Sequence, residues 1–437
     1  MSFNSINLSI RDFLDHNDIK SAQLNGRQRD RIIHHLVTIC SNIQDPRVKG
    51  RVIYPVSTLI ACIFMATLAG AESSYDVVDF WECEKKLYKR IFKTDIIPSH
   101  DTFRRILSLI PNEAMNTLLV SVIQSLYKTL KKVIKFEQVG LKLISVDGKE
   151  ERGTGRKANT SEEIKNLQIL NVYDQETGTC IFSDPIREKT NEIPHAQELL
   201  KLLNLKDSVV TFDALHTQKE TIRIIKGQNG DYVGGLKGNQ CNLFQYCLDL
   251  FDDDYLTKLS NKGALSHLKT SEIKHNQLEE RDFYLHTVTP YESKHAFLEW
   301  VGIKSVVCYK KHTIHNVTGK VTDELRCYIS SLKDLEDIAY CIRGHWAIEN
   351  KLHWCLDTVF HEDGMHIVDR QAATNQSIIN KAALSICKLM EELLGKKQKS
   401  IRGRRKSFGW NFEYSMALML SLINEKAFEK ALIVNAK

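Results

Sequence analysis

Three carboxylates stand where they could hold divalent metal: Asp147 closing LKLISVDG, Asp213 in SVVTFDAL, and Glu349 inside HWAIENKLH. Side chains alternate along a strand, so Leu143, Ser145 and Asp147 share one face, as do Val209, Thr211 and Asp213. Both runs are apolar up to the aspartate, which places each carboxylate at or near the end of a core strand. If the strands are neighbours the charges converge, and like charges that close require a cation between them. Taken singly, Asp147-Gly148 reads as a turn and Asp213 as a helix cap. Glu349 changes the balance. At about 100° per residue, Ile338, Ile342, Trp346, Leu352 and Leu356 lie within about 60° of it on a helix, so the carboxylate falls in an apolar stripe. A buried carboxylate is costly without a proton, a cation or a metal. This reading requires position 349 to meet 147 and 213 rather than to face solvent.

Such an all-oxygen set suits Mg2+, with Mn2+ able to substitute, rather than zinc. Two ions about 3.5–4 Å apart can activate a water or 3′-hydroxyl and stabilise the leaving oxygen during in-line attack on phosphorus. A second arrangement stays open. His345 and His353 lie four residues to either side of Glu349 and could form a His, Glu, His face for zinc or manganese. That arrangement leaves the strand aspartates without a task, and a lone histidine is more often a hydrogen-bonded core residue.

The elements that must position these groups begin at Leu141. LKLISVDG, LQILNVYD and TCIFSDPI read as three consecutive strands. PHAQELLKLLN follows as a helix, SVVTFDAL as a strand, TQKETIRIIKGQ as a helix and DYVGGLKG as a strand. This is the element order of the ribonuclease H fold. The expected class is therefore mixed α/β: a ribonuclease H-like core with a β-rich insertion and an N-terminal helical domain. The boundaries are 1–135 for the helical domain, suited to DNA binding, and 136–240 for the first part of the core. RDFYLHTVTPY, FLEWVGIKSVVCYKK and LRCYISSL supply strands of the insertion at 241–332. Residues 333–395 complete the core with the glutamate helix, and 396–437 form a basic linker and a last helix, EYSMALMLSLINEKAFEKALI.

At 437 residues with 43% hydrophobic content, the chain is long enough for two or three folded domains. Eleven cysteines without a CxxC pair, and a start without a secretory leader, fit reduced thiols in a cytoplasm, nucleoid-associated when DNA is bound. Val52 to Ala71 is nearly uncharged, but Pro55 and Gly70 bracket a helix of only ~22 Å, short of a ~30 Å bilayer core, so it reads as buried and no membrane is implied. The net charge of +6 decides little, whereas its distribution is informative. KKQKSIRGRRK at 396–406 holds seven Lys or Arg. Lys149, Arg152, Arg156 and Lys157 surround two glycines. Such runs are often solvated loops, but beside an acidic centre they suit phosphate, which nominates Arg402, Arg404 and Arg405.

With these residues in view, the sequence resembles the DDE-type insertion-sequence transposases, most closely the H-repeat-associated, ISAs-type group. The resemblance runs through DPRVKGRVIYPVSTLIACIFMATLAGAESSYDVVDF, PSHDTFRRIL, VDGKEERG, FDALHTQKET, DYVGGLKGNQ and RGHWAIENKLHWCLDTVFHED. It implies cutting at terminal inverted repeats of double-stranded DNA and joining to target DNA, with Asp147, Asp213 and Glu349 as metal ligands and a homodimer on DNA. It also implies DNA contacts from Lys149, Arg152, Lys237, Asn239, Gln240, Arg343, His345 and Trp346. The sequence departs from the wider superfamily in having Leu356 where a lysine follows the glutamate by seven, and Ile342 where a tyrosine precedes His345 by three. Trp300, read as a strand residue of the insertion, is placed either in its core or against a displaced base. The alternatives to a transposase are a non-transposing or domesticated nuclease of the same fold, and a DNA-binding protein with a decayed site.

Overall fold

The computed structural model describes residues 17–48, 50, 52–133, 142–156, 163–175, 177–186, 192–252, 254, 256–257, 266–274, 276–394, 400–408 and 411–436. The strands are β1 (Asn17–Ser21), β2 (Lys142–Glu151), β3 (Leu167–Asp174), β4 (Thr179–Ile186), β5 (Ser208–Phe212), β6 (Asp231–Leu236), β7 (Ser266–Lys274), β8 (Gln277–Thr287), β9 (Ser305–His315), β10 (Val321–Ser330) and β11 (Leu432–Ala436). The principal helices are α1 (Gly26–Cys40), α2 (Val56–Ala69), α3 (Ser74–Cys83), α4 (Lys85–Phe92), α5 (His100–Leu109), α6 (Asn112–Val133), α7 (Glu192–Leu202), α8 (Lys219–Gly227) and α9 (Cys241–Leu250). After β10 come α10 (Leu335–Ala347), α11 (Trp354–Val359), α12 (Arg370–Leu394), α13 (Ile401–Phe408), α14 (Phe412–Ser421) and α15 (Glu425–Ala431). The class is mixed α/β, and the chain divides into two units.

The first unit takes residues 1–3, 140–147 and 190–348. Its strand order is β2-β5-β6-β10-β9-β8-β7. β2, β5 and β6 are parallel, joined by the helical crossovers that parallel pairing demands, whereas β10 to β7 are antiparallel. Ile338, Ala339, Cys341 and Ile342 of α10 share one core with Leu143, Val209, Val233, Phe283 and Val307, so the helix covers the face that Leu143 and Val209 present. Gly344 permits a close approach there, since a Cβ would lie 2.5 Å from Leu143 Cδ2. α9 and β7 to β10 form the insertion between β6 and α10. The stretch FLEWVG precedes β9 as turns, which removes Trp300 from any strand.

The second unit takes residues 4–139, 148–189 and 349–437. Here the strands run β4-β3-β2, with β2 passing from one unit to the other at Asp147 and Gly148. β4, β3 and β2 are neighbours in that order, as the first three strands of a ribonuclease H fold are. α2 is the apolar helix read from the sequence: Pro55 precedes it, Gly70 ends it at φ 113°, and nearly every side chain is buried. Among the described residues, no single helix is long and apolar enough to cross a membrane. α12 packs on α5, α6 and β4 with almost all of its described side chains buried. The expected last helix is broken at Asn424, whose side chain caps α15. β11 then pairs antiparallel with β1.

Candidate active site

β2 and β5 pair in parallel register from Lys142 opposite Ser208 to Val146 opposite Phe212. Asp147 and Asp213 are the next residue on each chain, so alternation puts both on the face that α10 covers. Asp147 is not a turn residue, because β2 runs on to Glu151. Asp213 does cap a turn: its Oδ1 accepts the amide N–H groups of Leu215 at 2.9 Å and His216 at 3.1 Å.

The loop after Asp213 is held from below by the KGNQ segment. Asn239 Nδ2 donates to the Ala214 carbonyl at 2.8 Å, and Gln240 Nε2 donates to the carbonyls of Ala214 and Thr217 at 2.8 Å each. The Thr217 hydroxyl lies 2.9 Å from the Asp213 carbonyl and 2.6 Å from that of Gly235. Gly234 makes room, since a Cβ there would sit 2.6 Å from the Phe212 ring. Asn239 and Gln240 therefore brace the aspartate loop with the amides expected to reach DNA, while Lys237 stays exposed.

His345 is fixed in the same unit. Its Nδ1 lies 3.1 Å from Thr211 Oγ1, and Thr211 Oγ1 lies 2.8 Å from Ser145 Oγ. Burial pushes the imidazole down to about 4, against an opposing pull from Asp213, so the ring is neutral near pH 7. Trp346 stacks under the Arg326 guanidinium at 4.1 Å, and exposed Arg343 pairs with Glu272 at 3.2 Å.

Glu349 departs from the apolar-stripe expectation. α10 ends at Ala347 and a wide π turn, Ile348–His353, follows. The extra residue in that turn rotates the wheel, so Ile348, Leu352 and Leu356 take the buried positions and Glu349 is exposed. The inward placement that the apolar stripe required is therefore not met, and a part for Glu349 in a metal site rests on the family resemblance alone. In the second unit His353 Nε2 is engaged by Asn171 Nδ2 at 3.2 Å.

Three expected DNA contacts are interior groups. Lys149 is buried, with Nζ 2.8 Å from Asp357 and 3.1 Å from Glu362. Arg404 and Arg405 are buried on α13, which replaces the expected linker; residues 395–399 lie outside the described residues. Arg405 donates to the carbonyls of Val359 and Thr67 and covers the Phe360 ring at 4.1 Å. Arg152 and Arg402 remain exposed. Arg405→Ala is accordingly expected to cost about 2–3 kcal/mol by stranding two carbonyls while leaving the salt slope of DNA binding unchanged. Thermal melts and a salt titration check this, and a flattened slope would restore the phosphate role.

Among the described residues, no three His, Cys, Asp or Glu side chains are gathered closely enough to hold a metal ion. Asp147 and Asp213, each directly after the last paired residue of adjacent strands, do offer the carboxylate oxygens that a hard divalent cation takes. The residues that sequence reasoning missed are Ser145 and Thr211. Their signal was available, as each is a polar residue two places before an aspartate in an otherwise apolar strand.

The Transposase DDE domain model matches residues 139–386, and a DDE_Tnp_1-associated model matches residues 37–122. YncI of Escherichia coli O157:H7, which bears a transposase name, is 29% identical over 393 residues, covering 89% of this chain and 95% of its own. YhhI of Escherichia coli K12, H repeat-associated by name, is 30% identical over 354 residues, covering 79% of this chain and 88% of its own. A solved piggyBac transposase synaptic complex with hairpin DNA aligns with 97% of this chain and 82% of that one at 12% identity, with a TM-score of 0.36. With the domain model spanning more than half of its length and both strand aspartates inside the match, the chain belongs to the DDE transposases.

Proposed function

We propose that this chain cuts DNA at the terminal inverted repeats of its own element and joins the freed 3′-ends to target DNA by two-metal phosphoryl transfer. The observation that carries the reading is that Asp147 and Asp213 directly follow Val146 and Phe212, the last paired residues of adjacent parallel strands, in a member of the DDE family. Asp147, Asp213 and Glu349 would hold two Mg2+ ions, with Mn2+ as a substitute. When bound, such ions lower the pKa of an attacking water or hydroxyl and offset charge on the leaving oxygen.

The protein's own part is placement. Asp213 has one oxygen anchored by two amides, which fixes the direction of the other. Neutral His345 adds no charge beside the aspartates. The exposed cations Lys237, Arg152, Arg343 and Arg402 are the groups that can meet phosphates, and Trp346 serves through Arg326. Two copies acting on paired ends would form a homodimer on DNA.

The test uses an oligonucleotide carrying the inverted repeat that flanks the gene, labelled at the 5′-end of the strand whose freed 3′-end is to be joined, with Mg2+ and a supercoiled target. Label joined to the target is the expected result. Hydrolysis of the end without joining would overturn transposition in favour of a nuclease on the same fold, and no cleavage on any tested end would favour a decayed site.

A further inference from the structure

The two aspartate strands and α10 are tied together by hydrogen-bonded side chains. Ser145 and Thr211 are direct register partners across β2 and β5, and their hydroxyl oxygens are 2.8 Å apart. Thr211 Oγ1 is in turn 3.1 Å from His345 Nδ1 on α10 and within 3.5 Å of the Ile144 carbonyl. Ser145 and Thr211 are fully buried, and the residues two places before them, Leu143 and Val209, belong to an apolar core. Alanine or valine would fill these positions as well by volume. A hydroxyl in such a place is costly unless it is bonded, so the cost has to be met by what the bonds specify.

They specify register. A strand advances about 3.3 Å per residue and returns to the same face every second one. Ser145 and Thr211 therefore lie one pleat below Asp147 and Asp213 on the same face. A slip between β2 and β5, or a slide of α10, would break a bond in an interior with no water to replace it. Apolar packing also resists a slip, but it is not directional, and the hydrogen bonds fix the placement more sharply. Gly344, immediately before His345, allows the close helix-to-strand approach that brings the imidazole within reach.

We propose that Ser145, Thr211 and His345 are positioning residues that set the register of the two aspartate strands under α10, and through it the affinity of the aspartates for divalent metal. The proposal rests on the metal-ligand reading above. His345 then acts through Thr211 rather than by gripping DNA.

The test compares Thr211→Val with Thr211→Ser and His345→Leu with His345→Asn in the full chain, reading Mn2+ affinity by calorimetry beside thermal melts. Outer partners of metal ligands typically change affinity by about 10–100-fold. Thr211→Val and His345→Leu are expected to weaken Mn2+ binding at least tenfold, while Thr211→Ser, and in part His345→Asn, restore it. Wild-type affinity in a folded Thr211→Val, or a serine variant as weak as the valine one, would overturn the proposal. Should Thr211→Val not fold, Ser145→Ala decides, with unchanged affinity counting against the role. Asp213→Ala separates the two readings. If it binds Mn2+ as the parent does, the ligand assignment itself fails and the positioning role with it.

Discussion

Asp213→Asn is expected to leave the fold intact and to remove Mg2+-dependent strand cleavage. The amide keeps an oxygen to accept the Leu215 and His216 N–H groups, so the turn survives, but the negative charge is gone. Metal-supplied charge stabilisation amounts to several kcal/mol of barrier, and about 4 kcal/mol corresponds to a loss of roughly 10³-fold in rate. Alanine at the same site would mix this loss with a lost cap, which is why the amide is the sharper variant. Glu349→Gln offers an independent control. The side chain is exposed, and substitutions at such sites usually change stability by less than about 0.5 kcal/mol. Loss of cleavage without loss of stability would then be a statement about chemistry alone. Both variants should still retain DNA in a gel-shift assay. Cutting at the parental rate by either variant would remove that residue from the ligand set.

The two aspartates were legible in the sequence because strand alternation is a local rule. Leu143, Ser145 and Asp147, like Val209, Thr211 and Asp213, declare a common face without any knowledge of the partner. Glu349 was misread for an equally local reason: the wheel assumes 3.6 residues per turn, and the π turn at Ile348–His353 breaks it. The basic residues failed differently. Lys149 and Arg405 look like surface charge in a sequence, but their partners Glu362 and Thr67 lie 213 and 338 residues away, and no windowed reading carries that information. β1 and β11 escaped for the same reason, as each is five residues long and becomes a strand only by pairing with the other end of the chain. The break before α15 was readable, since Asn424 is a strong capping residue. Asn239 and Gln240 show a subtler limit. The sequence set them against DNA, whereas their amides brace backbone carbonyls, and side chains that do so look in sequence like side chains that would meet a ligand.

The second unit holds a buried charge cluster that makes a further large effect predictable. Lys149 Nζ meets Glu362 and Asp357, Glu362 Oε1 accepts from Ser377 at 2.8 Å and Asn380 at 3.2 Å, and Lys381 Nζ contacts Ser377 and Ser183. Burial raises the Glu362 carboxyl, but Lys149 and Lys381 outweigh it and hold the group below its usual range, so it is ionised. Lys149→Met would leave that anion in the interior, at a cost of about 3–5 kcal/mol. Glu151 sits in the same cluster, and burial, reinforced by the charge of Glu362 and only partly offset by Lys381 and Lys149, pushes its carboxyl up to about 8. Between the ordinary glutamate value of 4.5 and about 8, the folded chain keeps a proton that the unfolded chain releases, so stability falls as pH rises through this window. His345, pushed down to about 4, contributes the opposite slope below its unfolded value and none above it. From about pH 6.5 the Glu151 slope is therefore clear of it, at roughly 1.4 kcal/mol per pH unit at first and about half that at pH 8, where the folded carboxyl is itself half ionised. Glu151→Gln should flatten the curve over that range and leave the variant more stable than the parent at pH 8. Denaturant unfolding at several pH values reads the difference, and parallel curves for parent and variant would show that Glu151 is already ionised in the folded protein.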